Sequence, residues 1–339
     1  MKKGFTLIEV LGVIVILSII LVIAMPNIIN TIKNTNKKLD IYSANMIYKA
    51  ADNYILHSNL FEEKKGNTYC IKIDKLVYEG LLESPVRYDE KDDIKDTMSV
   101  KATYSNKWNY SIVNNTECSA ISVKICDRVT TATNGFVPEG NFDLGDEYIC
   151  KLNNNLQYHF YILNVTNDKV ALIAENNLDN SGEITGIDQD KWSSSQYNLN
   201  GPVDAYSYIE TNIINWNNIP TIKSFDFVDG NKNCNTCGYK GIYTRKVNND
   251  YITTISSNSN TTTYSNIKAR LPMLNEINKA ITGNTFPLWL KGNYYLNDSY
   301  DNTSNSAYYV TSEGTITSKL VNADGGIRPV IELHKYDLE

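Results

Sequence analysis

The chain has 339 residues, enough for two folded domains beyond any anchor. Its 32 basic and 38 acidic residues leave a net charge of −6, with no basic block outside the N-terminal region. That argues against nucleic acid as the main partner of the soluble part, because phosphate contacts need clustered Lys and Arg. The remainder is rich in Asn, Thr, Ser and Tyr; the bias fits AT-rich coding or an extracellular setting.

Residues 1–25 read MKKGFTLIEVLGVIVILSIILVIAM. From Phe5 to Met25 run 21 residues, nearly all apolar, and a helix of about 20 crosses a bilayer. Lys2 and Lys3 favour a cytoplasmic N-terminus. Two features set the segment apart from an ordinary secretory signal. Glu9 is a carboxylate inside the run, where even lenient insertion scales set a penalty of about 2.5–3.5 kcal/mol. No A-x-A cleavage site closes the run either, which ends in Ala24, Met25 and Pro26 and passes into helical pattern. The small residue lies on the cytoplasmic side instead, at Gly4 before Phe5.

Lys3-Gly4-Phe5-Thr6-Leu7-Ile8-Glu9 resembles the signal read by the type IV prepilin peptidase. The resemblance implies a bacterial precursor, cleavage between Gly4 and Phe5, and methylation of the new Phe5 amine. It implies that Glu9 neutralises the Phe5 ammonium of a neighbouring subunit inside an apolar helix bundle, since a buried charge is tolerable only when paired. Pro26 falls where this family often kinks or melts its helix, because proline removes an intrahelical hydrogen bond. The implied partners are other pilin subunits, the prepilin peptidase, the pilus assembly platform and the membrane. The implied locations are a single-pass cell membrane for the precursor and an extracellular filament at the cell surface for the mature chain.

Past Pro26 the helical pattern continues. Ile28, Ile32, Leu39, Tyr42, Met46, Ala50 and Tyr54 recur at steps of three, four or seven, predicting one buried face. Lys33, Lys37, Lys38, Lys49 and Asp52 fall largely off it. One helix is expected over 5–60, its transmembrane part 5–25 and its second half lying on a small sheet. Ser99–Thr103 and Asn109–Val113 alternate like paired strands. The stretch CIKIDKLVYEGLLESPVRYDEKDD resembles the segment after the long helix in Gram-positive pilins and pseudopilins, where a short helix leads into the sheet. The expected organisation is a leader 1–4, a pilin-like unit 5–125, a linker 126–145 and a C-terminal domain 146–339.

In that domain Tyr148–Leu152, Tyr158–Val165 and Lys169–Glu175 read as strands. Val203, Tyr206, Ile209, Ile213 and Trp216 make a helical stripe, and Leu271-Pro272 opens a short helix through Ile277 and Ile281. Ala307–Ser312 and Thr315–Leu320 flank Glu313-Gly314 as a hairpin, and Ile327–Leu333 closes the chain as a strand. The fold class expected is α+β: a long transmembrane helix on a small antiparallel sheet, then a second, mainly β domain. The segments GDEYICKL, YHFYILNVTNDKVALIAE, ARLPMLNEI, PLWL, AYYVTSEGTI and GIRPVIEL resemble a C-terminal domain appended to bacterial surface proteins and related to C-type-lectin-like and formylglycine-generating-enzyme folds. The calcium and sugar motifs of true lectins are absent, as is a recognisable catalytic cysteine pair. The resemblance implies the fold and no activity.

Six cysteines, Cys70, Cys118, Cys126, Cys150, Cys234 and Cys237, permit three disulfides in any of fifteen pairings on an exported chain. Cys234 and Cys237 form a C-x-x-C without a thioredoxin-like setting or further zinc ligands, which favours a loop disulfide. Cys118 and Cys126 either close a small hairpin or tie elsewhere. Asp179, Ser181, Glu183, Asp188 and Asp190 are rich in oxygen, but Gly182 is not at the turn position of an EF-hand loop. His57, His159 and His334 lie in separate segments with no nucleophile beside them, so no catalytic triad is supported; His159 is expected to be packed in a strand. Trp289, Tyr294, Tyr295, Tyr300, Tyr308 and Tyr309 form either a sugar- or protein-binding surface or an alternating core.

The chain is thus expected to be no enzyme and to need no cofactor or metal. The function expected is a structural subunit, minor or at the tip, of a type IV pilus or a type II secretion-like pseudopilus. Its C-terminal domain would be displayed to bind a surface glycan or protein. The alternative is a surface-anchored adhesin or binding module that never enters a filament.

Overall fold

The computed structural model describes residues 7–57, 61, 63, 65–89, 91–118, 124–129, 141–166, 169–186, 188–222, 228–229, 239–247, 250–257, 261–265, 267–283, 285–300 and 305–338. They belong to two compact units, Met1–Tyr54 with Glu63–Ile121, and Ile55–Glu62 with Ser122–Glu339. The structure is mixed helix and sheet, with several small antiparallel sheets.

Helix α1 spans Leu7–His57, its residues as far as Tyr54 belonging to the first unit, and its expected last turn, 58–60, lies outside the described residues. The helix continues through Pro26 rather than melting there. Strand β1 (Thr68–Lys72) passes directly into helix α2 (Ile73–Tyr78), the expected short helix before the sheet. β2 (Met98–Tyr104) and β3 (Trp108–Asn114) complete a sheet of order β1-β2-β3. Ile71, Ile73, Leu76, Ile94, Val100 and Ala102 form its buried centre.

The face that α1 turns inward differs from the expected stripe. Ile47, Ala50 and Ala51 are buried, while Leu39, Tyr42 and Met46 are 58%, 66% and 48% exposed. Tyr48 stacks on Tyr110 of β3 with centroids 6.0 Å apart, and the Tyr110 hydroxyl donates to Asp52. Small side chains at positions 50 and 51 let a sheet approach the helix axis, which larger apolar residues would prevent. Apolarity alone therefore selected the outer face.

The second unit is built around a five-stranded antiparallel sheet. Its strands are β4 (Cys126–Arg128), β5 (Glu147–Lys151), β6 (Gln157–Val165), β7 (Lys169–Ala174) and, last in the chain, Val330–His334. Between them lie β8 (Asp190–Lys191), helix α3 (Val203–Asn212), β9 (Val228–Asp229), β10 (Tyr239–Val247), β11 (Asp250–Ser257) and β12 (Thr261–Ser265). Helix α4 (Leu274–Ala280), β13 (Tyr294–Ser299), β14 (Ser306–Val310), β15 (Ile316–Leu320) and β16 (Asp324–Gly325) follow, so the closing strand is β17. Its pairing with β7 completes the order β17-β7-β6-β5-β4.

Both faces of this sheet are covered. Phe160, Ile162, Leu172 and Ala174 join Ala205, Tyr206 and Ile209 of α3 in the larger core. Leu163, Ala171 and Ile173 join Ile277 and Ala280 of α4, with Tyr294 and Val310, in the smaller one. A strand buried on both sides needs a continuous apolar run, which is what Val170–Ala174 supplies. The stripe expected to continue to Trp216 leaves the helix at Asn212. Trp216 still turns inward, and its indole N–H donates to Gly182 O at 2.9 Å. Gly182 has φ +84°, and a Cβ there would lie 2.2 Å from Asn212 O, so the turn closes only on glycine.

Two boundaries move. Ile125, expected to end the first unit, is buried in the larger core of the second. Cys126–Arg128, expected in the linker 126–145, is an edge strand, because register pairing and a disulfide to Cys150 hold it on β5. At the other end of that stretch Gly145 N donates to Ile162 O at 2.8 Å. Residues 130–140 of the expected linker lie outside the described residues.

Candidate assembly site

The chemistry proposed from sequence concentrates in the N-terminal half of α1. A helix apolar on every side is stable only where no face must meet water, in lipid or in a bundle of like helices. The described side chains there are those of 10–18 and 25. Val10, Leu11, Val13, Ile14, Val15, Ile16 and Leu17 are all exposed, as is Met25. Ser18 is the polar exception, and its hydroxyl donates to Ile14 O at 2.7 Å, returning the proton to the helix backbone.

These described side chains alone make no helix long and apolar enough to cross a membrane. The span expected over 5–25 lies partly outside the described residues. So do Gly4, Phe5 and the side chains of Glu9 and Pro26. Further along α1, Leu39, Tyr42 and Met46 follow one another at steps of three and four on an exposed face. Asp40, near that face, accepts a hydrogen bond from Asp89 N at 3.1 Å, which fixes the Pro85–Asp96 loop beside the helix.

Other sequence-based sites resolve as structure rather than chemistry. Cys70 pairs with Cys118, joining β1 to the turn after β3, and Cys126 pairs with Cys150 across β4 and β5. Cys118 and Cys126 thus tie elsewhere and do not close a hairpin with each other. Cys234 and Cys237 lie outside the described residues. Asp179 accepts from Ser181 N, the Ser181 hydroxyl, Glu183 N and the Thr185 hydroxyl. Burial works to raise this carboxyl, and those hydrogen bonds outweigh it and hold it below the usual range. Asp188 likewise caps Asn180 N at 2.9 Å. Asp179 and Asp188 thus close turns of this loop.

His159, expected to be packed, is half-exposed on β6 and pairs with Glu147. His334 is buried in the closing strand, and His57 lies at the end of α1, in a different element. Of the aromatic set, Tyr294, Tyr295 and Tyr309 are core residues. Tyr295 and Tyr309 meet edge-on at 5.2 Å, while Tyr294 faces the opposite core under Arg328. Trp289, Tyr300 and Tyr308 are half-buried. Alternation into two cores accounts for three of the six.

Sequence reasoning missed the buried charge cluster of the second unit. Arg270, 2% exposed, donates to both Glu276 oxygens at 2.9 and 2.6 Å and to Glu332 at 2.8 Å. Burial disfavours its charge, and the two carboxylates outweigh that and raise its pKa. Arg328, equally buried, donates to the carbonyls of Ala174, Lys291 and Trp289. The signal lay in view: these residues sit inside ARLPMLNEI and GIRPVIEL, which meet where Arg270 and Val330 exchange backbone hydrogen bonds of 2.9 and 2.8 Å.

Residues 1–25 match the family model described as the prokaryotic N-terminal methylation motif. The N-terminus is a methylation motif. It covers the apolar N-terminal part of α1 and the residues before it, and it supports a type IV pilin-like reading of the chain, with pilin subunits and the prepilin peptidase as partners. No curated protein and no solved structure matches the chain. The methylation motif thus contains Gly4, Phe5 and Glu9, and the rest of the molecule stands on its own geometry.

Proposed function

We propose that the chain is a minor or tip subunit of a type IV pilus or related pseudopilus, cut after Gly4, methylated on Phe5 and assembled through α1. The methylation motif over residues 1–25 carries this reading. Glu9 inside the apolar run supports it, because a membrane anchor alone gains nothing from a carboxylate at that depth. The exposed stripe Leu39, Tyr42 and Met46 supports it too, since it would extend helix contacts beyond the apolar segment. The minor role is favoured by the second unit, which includes Ser122–Glu339 and would crowd a filament made of this chain alone. That unit is the part offered to a surface ligand.

The mature N-terminus tests the reading. Mass spectrometry of the chain from its native host is expected to find N-methylated Phe5 as the first residue. A mature chain beginning near Asn27 would mean ordinary signal-peptide processing and overturn it.

A further inference from the structure

The second unit carries a cleft of about 290 Å³ lined by Gln196, Tyr197, Asn305, Leu320 and Asn322. We infer that this cleft binds a neutral saccharide, with Tyr197 and Leu320 as the apolar floor and the three amides as hydroxyl partners. This gives the displayed domain its class of ligand. It rests on the filament reading for its biological setting only, since binding is measured without a filament.

Among the described residues the lining carries no carboxylate, ammonium or guanidinium, so an ionic ligand gains nothing from them to offset its desolvation. Each side-chain amide presents a donor and an acceptor together. That matches a sugar hydroxyl, which is also both. Tyr197 and Leu320 are 50% and 49% exposed. A phenol ring and a leucine side chain offer area to the C–H face of a pyranose, and the ring does so at low conformational cost. The neighbouring Lys319 does not add charge. Alternation along β15 points it away from Leu320, and its ammonium lies 4.5 Å over the Tyr309 ring.

The walls are also fixed before any ligand arrives. Asn198 donates to Ser306 O at 2.9 Å, tying the 194–200 segment to the start of β14. Val321 N donates to Asn305 O at 3.0 Å, and Ser193 N to Val321 O at 2.9 Å. Leu320 O accepts from the Tyr295 hydroxyl at 2.5 Å. A preorganised site spends less of its binding energy on ordering side chains. The volume sits at the low end of ligand pockets, roughly 300–1,000 Å³, which suits one or two sugar rings.

The test uses the full chain in a detergent without a sugar headgroup. Saturation-transfer NMR is recorded with N,N′-diacetylchitobiose, lactose and cellobiose, with sialyllactose as the anionic control and an uncharged tripeptide as the peptide control. At least one neutral disaccharide is expected to receive transfer at millimolar concentration, and the controls to receive little. Tyr197→Ala is expected to weaken binding roughly tenfold by removing the stacking face, whereas Tyr197→Phe retains it. Asn322→Asp places an anion at the rim and is expected to weaken binding as well. Both positions are exposed, so folding is checked simply by comparing thermal unfolding with the parent chain. No transfer to any neutral sugar, transfer to the tripeptide in their place, or binding unchanged in Tyr197→Ala would each overturn the assignment. Filament incorporation is not involved, so either proposal can fail alone.

Discussion

Arg270 is the residue that joins the two carboxylates of the buried charge cluster in the second unit. Glu276 is 2% exposed and accepts from Arg270 and from Met273 N at 3.0 Å, where it caps α4. Glu332 lies between Arg270 and the Lys169 ammonium, 3.8 Å away. Replacing such a cluster wholesale by apolar groups can be neutral, but removing one partner strands the others without their counter-charge. Arg270→Met is therefore expected to lower stability by roughly 3–5 kcal/mol, read as a shifted urea midpoint of the detergent-solubilised chain. Buried phenols set a second residue-scale effect, on the alkaline side. Burial pushes Tyr294 up to about 12, against an opposing pull from Arg328, and pushes Tyr264 to about 12 as well. A phenol in the unfolded chain releases its proton near 10. Above that pH the folded chain holds protons that the unfolded chain has lost. The contribution is fully present below pH 10 and is lost as pH rises through 12. For Tyr294 it amounts to roughly 2–3 kcal/mol. Urea unfolding on either side of this window, with phenolate absorbance followed in parallel, should show stability and the protected tyrosines lost together. A midpoint that is flat across the window would show that these phenols are not buried as described.

At the scale of elements, each described disulfide closes within one unit. Cys70–Cys118 spans 48 residues and holds the end of β3 against β1, which already pair through β2. Replacing both cysteines by serine is expected to cost about 2–4 kcal/mol, mainly by freeing the unfolded chain, and to broaden amide signals in β1 and β3 before those of β6 and β7. Equal loss in the two units would mean that the bond does not act locally. The same elements show what the sequence could and could not reveal. β2, β3, β5, β6 and β7 were legible because their side chains alternate or run apolar, and the hairpin of β14 and β15 because Glu313-Gly314 marks its turn. The meander β10, β11 and β12 was not. Its Thr-, Ser- and Lys-rich strands resemble the Asn-rich loops around them in composition, and the pairing that makes them strands is between segments rather than within them. The face of α1 was misread for a related reason: apolar periodicity reports that a stripe avoids water somewhere, without saying whether it meets its own sheet or another molecule. Leu39, Tyr42 and Met46 are the exposed members of that stripe, and Ala50 the buried one. The residues of the charge cluster around Arg270 stood in two quoted segments, but their pairing was not legible, because Arg270 and Glu332 are 62 residues apart and meet only in the fold.

For the whole molecule, the deciding question is whether the N-terminus merely anchors the chain or assembles it, and Glu9 separates the two. In the bilayer, before assembly, its carboxylate is either unpaired at a penalty of about 2.5–3.5 kcal/mol or protonated. As a filament subunit the chain would bring Glu9 to the Phe5 ammonium of a neighbour, so that docking gains an ion pair shielded from water. Both charges then matter only in the assembled state. Glu9→Gln keeps the shape of the side chain and removes its charge. Insertion and cleavage after Gly4 should persist, because the apolar segment becomes easier to place in lipid. Incorporation should fall, because the ammonium of Phe5 is then buried without a counter-charge, and breaking a buried pair is more harmful than never having one. The variant is expressed as the sole copy, and the membrane fraction is compared with sheared surface filaments by quantitative immunoblot. The expected outcome is a normal amount of processed chain in the membrane and a several-fold deficit in filaments, since each 1.4 kcal/mol lost from docking is about tenfold in the equilibrium. Glu9→Asp, which retains the charge on a shorter arm, should recover part of the deficit. Wild-type incorporation of Glu9→Gln would leave the carboxylate without an assembly role and reduce the N-terminus to an anchor.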